Sequence, residues 1–251
     1  MRERGIPSEE GSSGGAGPAR IRIDVLTLFP RIFDSPLRES LLGRAIQAGM
    51  VEVRVHDIRE HAHDKHRQAD DYAFGGGPGM VMKAGPIFEA VESLGLGGKR
   101  ILLLSPSGRR LGQELVKELA RERWLVLICG RYEGVDERVV TGLSAEEVSI
   151  GDFVLAGGEV AALALLEAVT RLVPGVVGNE ESLSAESFEQ GMLDSPHYTR
   201  PRDFRGMVVP DELVSGDHAR VERWRQQAAL DKTKRNRPDL LNRQQEGRPP
   251  N

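Results

Sequence analysis

The sequence of 251 residues has a single cysteine, Cys129, so no intramolecular disulfide is available. That suits a reducing compartment, and a cytoplasmic location is expected. Cys129 closes an apolar run and reads as an inert core thiol rather than a nucleophile. No apolar run approaches the roughly 18 residues that a membrane span requires, so no membrane partner is expected. The opening stretch MRERGIPSEEGSSGGAGPAR lacks the apolar core of a secretory signal, and its Gly/Ser/Pro content predicts a disordered tail over residues 1–20. None of the central glycine-rich loops has the G-x-G-x-x-G spacing of a dinucleotide fold or the G-K-[ST] ending of a P-loop. This argues against a nicotinamide-dependent oxidoreductase.

A formal net charge of −4 argues against a general nucleic-acid coat, and DNA is not expected as a partner. The charge is unevenly spread, however. From Arg200 to Asn251 there are 12 Lys/Arg and 8 Asp/Glu, which leaves 22 basic and 30 acidic residues before Arg200. A basic end on an acidic body permits phosphate contacts at that end alone. On charge alone, a solvated helical surface is the simpler reading.

With 39% hydrophobic residues the chain can build a real core, in one large or two modest domains. Ile21–Leu28 alternates like a strand, Leu37–Gly49 reads as a helix stopped by Gly49, and Val51–His56 is a second short strand. Pro86–Leu94 reads as a helix. Three apolar strands then follow at Arg100–Leu104, Trp124–Cys129 and Val148–Leu155, with helices at Gly112–Arg123 and Glu159–Leu172. Short apolar strands alternating with helices predict a parallel α/β sheet, and such sheets bind ligands at the carboxyl ends of their strands. Those ends carry the turns GRYEGVDER and SIGDFVLAGGE. The stretch after Leu172 is irregular and reads as a linker. Asp217 can cap a helix to about Leu230 that carries Val221 and Trp224, and a second helical patch surrounds Pro238–Leu241.

The cluster FGGGPGM (Phe74–Met80) reads as a close backbone approach to a ligand rather than a phosphate cradle. His61, His63 and His66 share one polar segment, but no cysteines and no second cluster accompany them as a zinc site would require. A polar surface facing substrate is the better reading. Arg171 and Glu186 do not stand out by themselves, since a lone Arg or Glu is usually a surface charge.

Taken in order, LTLFP, HDKHRQADD, FGGGPGM, LSPSGRRL, CGRYEGVDERV, SIGDFVLAGGE, RLVPGVVGNEES, LDSPHYTRP and the helix around Trp224 resemble the bacterial tRNA (guanine-N(1))-methyltransferases of the SPOUT class. The match runs from about Ile21 to Leu241. The resemblance implies an α/β domain with a C-terminal trefoil knot over residues 21–172, a linker over 173–197 and a small helical tRNA-binding domain over 198–242. A disordered tail over 243–251 is expected to follow.

The same resemblance implies a homodimer whose active sites draw on both subunits, and S-adenosyl-L-methionine as methyl donor. Its pocket would include Ser105, Pro106, Gly130, Tyr132, Glu133, Ile150, Gly151, Asp152, Phe153, Val154, Leu155, Gly157 and Gly158. Glu186 takes the position of the family's catalytic base, where Asp is usual, and Arg171 that of its catalytic arginine. Asp194 and His197 match positions near substrate. Arg200, Arg220, Arg223 and Arg225 would contact tRNA phosphates, with Arg202, Arg205, Lys232 and Lys234 nearby. A divalent cation, Mg²⁺, is implied, with its ligands unknown. The implied reaction is methyl transfer to N1 of the guanosine 3′ of the anticodon. A non-catalytic RNA-binding or S-adenosylmethionine-sensing protein on the same fold would be favoured if Arg171 or the linker carboxylate were missing, and both are present.

Overall fold

The computed structural model describes residues 21–178, 186–189 and 191–245. The expected N-terminal tail, the middle of the linker and residues 246–251 thus lie outside the described residues. Five strands form one sheet in the order β2-β1-β6-β5-β7. They are β1 (Ile21–Thr27), β2 (Val51–Asp57), β5 (Arg100–Arg110), β6 (Trp124–Cys129) and β7 (Glu146–Ser149). Every pairing in it is parallel, as the apolar runs predict. A two-stranded antiparallel ribbon, β3 (Asp70–Asp71) and β4 (Val81–Met82), precedes β5.

Side chains alternate across the pleat, so each central strand feeds two cores. Ile23, Val25, Leu125, Leu127, Leu102 and Leu104 face one side. There they meet helices α1 (Ser40–Gln47), α3 (Gln113–Ala120) and α5 (Glu159–Thr170). Leu26, Val126, Ile128, Ile101 and Leu103 face the other, against α2 (Ala84–Ser93) and α4 (Glu137–Leu143). With both faces covered, β6 is buried from Leu125 to Cys129, and each such Leu or Ile contributes about 1.5–3 kcal/mol over an exposed one.

Several boundaries differ from expectation. The helix expected from Leu37 is split: Pro36–Arg38 is a 3-10 turn, and α1 begins only at Ser40, whose φ is 59°. β5 runs on through Ser105–Gly108 to Arg110 and pairs β7 twice, with Val148 opposite both Leu104 and Arg109. β7 stops at Ser149, not Leu155. The Ser149 hydroxyl donates to the Gly151 carbonyl at 2.9 Å and accepts from the Gly151 amide at 3.2 Å, which turns the chain out of the sheet. α4 is additional, capped by Asp136, whose side chain accepts from the Arg138 amide.

Beyond the linker, a short hairpin of β8 (Asp203–Phe204) and β9 (Met207–Val208) precedes α6 (His218–Asn236) and α7 (Pro238–Gln245). Asp217 caps α6 as predicted, but the helix is six residues longer than expected, ending at Asn236. Trp224 meets Tyr198 edge-on at 6.1 Å. α7 reaches Gln245, so residues 243–245 are helical where a disordered tail was expected.

Candidate active site

The loops after β5, β6 and β7 enclose a cavity of about 450 Å³. This lies within the roughly 300–1,000 Å³ range of small-molecule sites, at the carboxyl ends of parallel strands. Of the residues expected at a cofactor, Ser105, Pro106, Gly130, Tyr132, Glu133, Ile150, Gly151, Phe153, Val154, Leu155, Gly157 and Gly158 all line it. Asp152 does not. Its side chain is 92% exposed and lies 4.0 Å from Arg110.

The glycines of the cavity wall serve the packing of its loops. A Cβ on Gly158 would sit 2.8 Å from the Cys129 Cα and 3.0 Å from the Gly130 nitrogen. A Cβ on Gly157 would overlap the Arg131 guanidinium. The missing side chains let one loop pack on another, and the Gly158 amide donates to the Gly130 carbonyl at 2.8 Å. Tyr132 holds a left-handed φ of 60°, a costly conformation for a residue of its size, on the cavity wall.

A buried carboxylate that sequence reading missed ties these loops together. Glu159 opens α5 and is 1% exposed. It accepts from the Thr27 hydroxyl at 2.7 Å and from the Arg131 Nε at 2.9 Å. Arg131 donates onward to the Ala156 carbonyl at 3.1 Å, and its guanidinium lies 4.4 Å from the centre of the Phe29 ring. The carboxylate sits at the positive end of the helix dipole. Its only sequence signal is an acid just after two glycines at a helix start. Next to it, burial pushes the Cys129 thiol well above its ordinary range, and the Glu159 charge adds to this, so the thiol is inert.

The cavity wall also carries Glu133, Glu137 and Glu147 against one cation, Arg131. Ser107 donates to Glu147 at 2.9 Å. This acidic wall favours a ligand bearing positive charge.

Arg171 and Glu186 come together away from the cavity. Arg171 ends α5, and its two terminal nitrogens donate to the two Glu186 oxygens at 2.7 and 2.5 Å. The hydrogen bonds that Arg171 donates to Glu186 raise its pKa further. Asp194 and His197 also pair, at 2.8 Å, and the Asp194 amide donates to the Ser187 hydroxyl, beside Glu186. Arg200, Arg220, Arg223 and Arg225 are all exposed, although Arg220 lies 3.7 Å from Glu212 and Arg202 is paired with Asp211. His63 pairs with Glu89 at 2.6 Å. Among the described residues no group of three or more His, Cys, Asp or Glu could hold a metal ion, and no helix is long and apolar enough to cross a membrane.

A parallel sheet with an acid-walled, cofactor-sized cavity at its strand ends, and an arginine–carboxylate pair on the adjoining linker, defines a ligand-binding protein of the α/β class. Residues 21–243 match the family described as tRNA (Guanine-1)-methyltransferase TrmD. A tRNA (guanine-N(1)-)-methyltransferase of Anaeromyxobacter sp. (strain Fw109-5) is 57% identical over 90% of this chain and 92% of its own length. Those of Dictyoglomus turgidum and Geobacillus kaustophilus are 53% and 52% identical, each over 88% of this chain and 90% and 91% of their own lengths. The chain belongs to this family of tRNA-methylating enzymes.

Proposed function

We propose that this enzyme transfers a methyl group from S-adenosyl-L-methionine to N1 of the guanosine 3′ of the anticodon, position 37, in the cytoplasm. The observation that carries the chemistry is the bidentate Arg171–Glu186 pair, joined across 15 residues of sequence. Family membership supplies the substrate.

The cavity fits the donor. When bound there, S-adenosyl-L-methionine supplies an electrophilic methyl group and a positive sulfonium, which Glu133, Glu137 and Glu147 favour electrostatically. Backbone around Gly130 and Ile150–Leu155 would hold the adenosyl part, and Ser105 and Pro106 would close one side.

The guanine ring nitrogen carries a proton at neutral pH, so it attacks only as that proton leaves. Each Glu186 oxygen accepts one bond from Arg171 and keeps a second lone pair, so the carboxylate can be oriented and still take the proton. As the proton arrives, the pull of Glu186 on Arg171 weakens. The guanidinium then turns to the guanine carbonyl oxygen, where negative charge develops. The divalent cation that the resemblance implies meets no ligand cluster among the described residues, and no step here depends on it.

A homodimer is supported by distance. The cavity lies at the first turn of α5 and Arg171 at its end, 12 residues on. That is roughly 18 Å at 1.5 Å per residue, too far for one chain's pair to serve its own cavity. Apolar side chains beside the cavity are open to a second copy: Phe153 is 54% exposed, Val154 84% and Val160 57%. The trefoil knot belongs to this reading through family membership. The division into a catalytic unit (21–172), a linker (173–197) and a helical tRNA-binding unit (198–242) places the exposed arginines on the last.

The test is methyl transfer to unmodified tRNA with mapping of the modified base. Methylation at another base or another nucleotide would refute the assignment.

A further inference from the structure

Glu186 sits on a short turn of the linker, and the partners of that turn follow from Glu189. The Glu189 amide donates to the Glu186 carbonyl at 3.3 Å, so the two residues close one turn. The Glu189 carboxylate, only 18% exposed, faces α3 of the sheet domain. There it accepts from Gln113 Nε2 at 3.1 Å and pairs with Lys117 Nζ at 2.8 Å. Between them Phe188 holds a left-handed φ of 78°, unusual for a bulky residue and stable only where neighbours enforce it.

The other side of the turn is held by α6 and its C-cap residue. The Arg237 guanidinium lies 5.8 Å from the Phe188 ring centre. The Leu193 amide donates to the Thr233 hydroxyl at 2.9 Å, and Lys232 donates to the Asp194 carbonyl at 3.0 Å. The turn is thus gripped from α3 on one side and from α6 and its C-cap residue Arg237 on the other. Of these contacts, the Glu189 pair with Lys117 and Gln113 joins the turn to the same domain that holds Arg171.

We propose that Glu189, through Lys117 and Gln113 on α3, is a positioning residue for the proton-accepting carboxylate of Glu186. This rests on the reading of Glu186 as the base. The physical reason is orientation. A base must lie within about an ångström of its working place, and a turn with a strained centre does not keep that place unaided. Glu189 also adds a second negative charge near Arg171, which helps to keep the guanidinium at the linker.

The experiment compares Glu189→Gln, Lys117→Gln and the exchanged pair Lys117→Glu with Glu189→Lys in the full-length protein, with Glu186→Gln as reference. Single-turnover methyl transfer, binding of tRNA and of S-adenosyl-L-methionine, melting temperature, and hydrogen exchange in the peptide 186–193 are measured together. The single variants are expected to transfer methyl about tenfold more slowly or worse, with both affinities within about twofold and faster exchange in that peptide. The exchanged pair is expected to recover most of the missing rate.

Unchanged rates or unchanged exchange would overturn the proposal, as would a slower rate that merely tracks melting temperature and is not recovered by the exchanged pair. If Glu186→Gln is inactive while Glu189→Gln is normal, only the positioning role falls. If Glu186→Gln is fully active, the base assignment fails and takes the positioning role with it. Exchange then reports only whether the tether orders the turn.

Discussion

The Arg131 guanidinium donates to the buried Glu159 carboxylate at 2.9 Å, and this pair joins the loop after β6 to the first turn of α5. Both loops line the cavity, so its shape depends on a contact that no bound ligand makes. Breaking one partner of a buried pair leaves the other charge uncompensated.

Glu159→Gln is therefore expected to cost about 3–5 kcal/mol of stability and to weaken binding of S-adenosyl-L-methionine, because Arg131 loses its charged anchor. Chemical denaturation and calorimetry check the two effects. Unaltered cofactor affinity would show that the cavity does not depend on this pair.

Glu186→Gln keeps the shape and one of the two bonds from Arg171, loses the other because an amide nitrogen only donates, and cannot accept the proton. Single-turnover methyl transfer is expected to fall by about 10² or more, with tRNA and cofactor affinities nearly unchanged. Glu186→Asp should keep much of the activity, since it retains the carboxylate. A Gln variant with a normal rate would remove Glu186 from the chemistry and make Asp194, on the same linker, the next carboxylate to test.

Arg223 and Arg225 are exposed on α6. Replacing both with Gln is expected to weaken tRNA binding and flatten its dependence on salt, by roughly 0.7–0.9 in logarithmic slope for each phosphate that is no longer neutralised. Titrations at several salt concentrations measure that slope. An unchanged slope would place the tRNA-binding surface elsewhere.

Asp24 supplies a pH test of the fold. Burial opposes its charge, but hydrogen bonds from His56, Arg22 and Trp124 outweigh that and lower its pKa. The folded value thus lies below the unfolded one, so this contribution is fully present above about pH 4 and is lost as pH falls through the folded value. Asp24→Asn should lower stability at neutral pH and flatten the acid side of a stability–pH curve measured by urea unfolding. Parallel curves for the two proteins would mean that Asp24 adds nothing to acid sensitivity.

Much of the sheet was legible because β6, covered on both faces, is a continuous apolar run and β1 alternates apolar with polar residues, each with a turn after it. The end of β7 was not. Phe153, Val154 and Leu155 are apolar, so pattern alone extends the strand, yet all three are exposed on a loop. α4 was missed because ERVVTGL contains two valines, a threonine and a glycine, all weak helix formers, and its stability comes from Val139 packed in the core.

The site divides in the same way. The order of its motifs identified the family and the residues of the cavity wall, because loops at strand ends show in sequence as glycine and acid clusters. The partners could not be read in that way. Thr27 and Glu159 are 132 residues apart, and only the closing of β1 against β6 and α5 brings the hydroxyl to the carboxylate. Glu189 looked like any linker charge until α3 placed Gln113 and Lys117 beside it. Apart from α4 and the end of β7, local sequence determined where the main strands and helices form, since backbone preference and apolar period act within a few residues. Which charges meet was decided only by tertiary packing, since an ion pair depends on distance in space and not on distance along the chain.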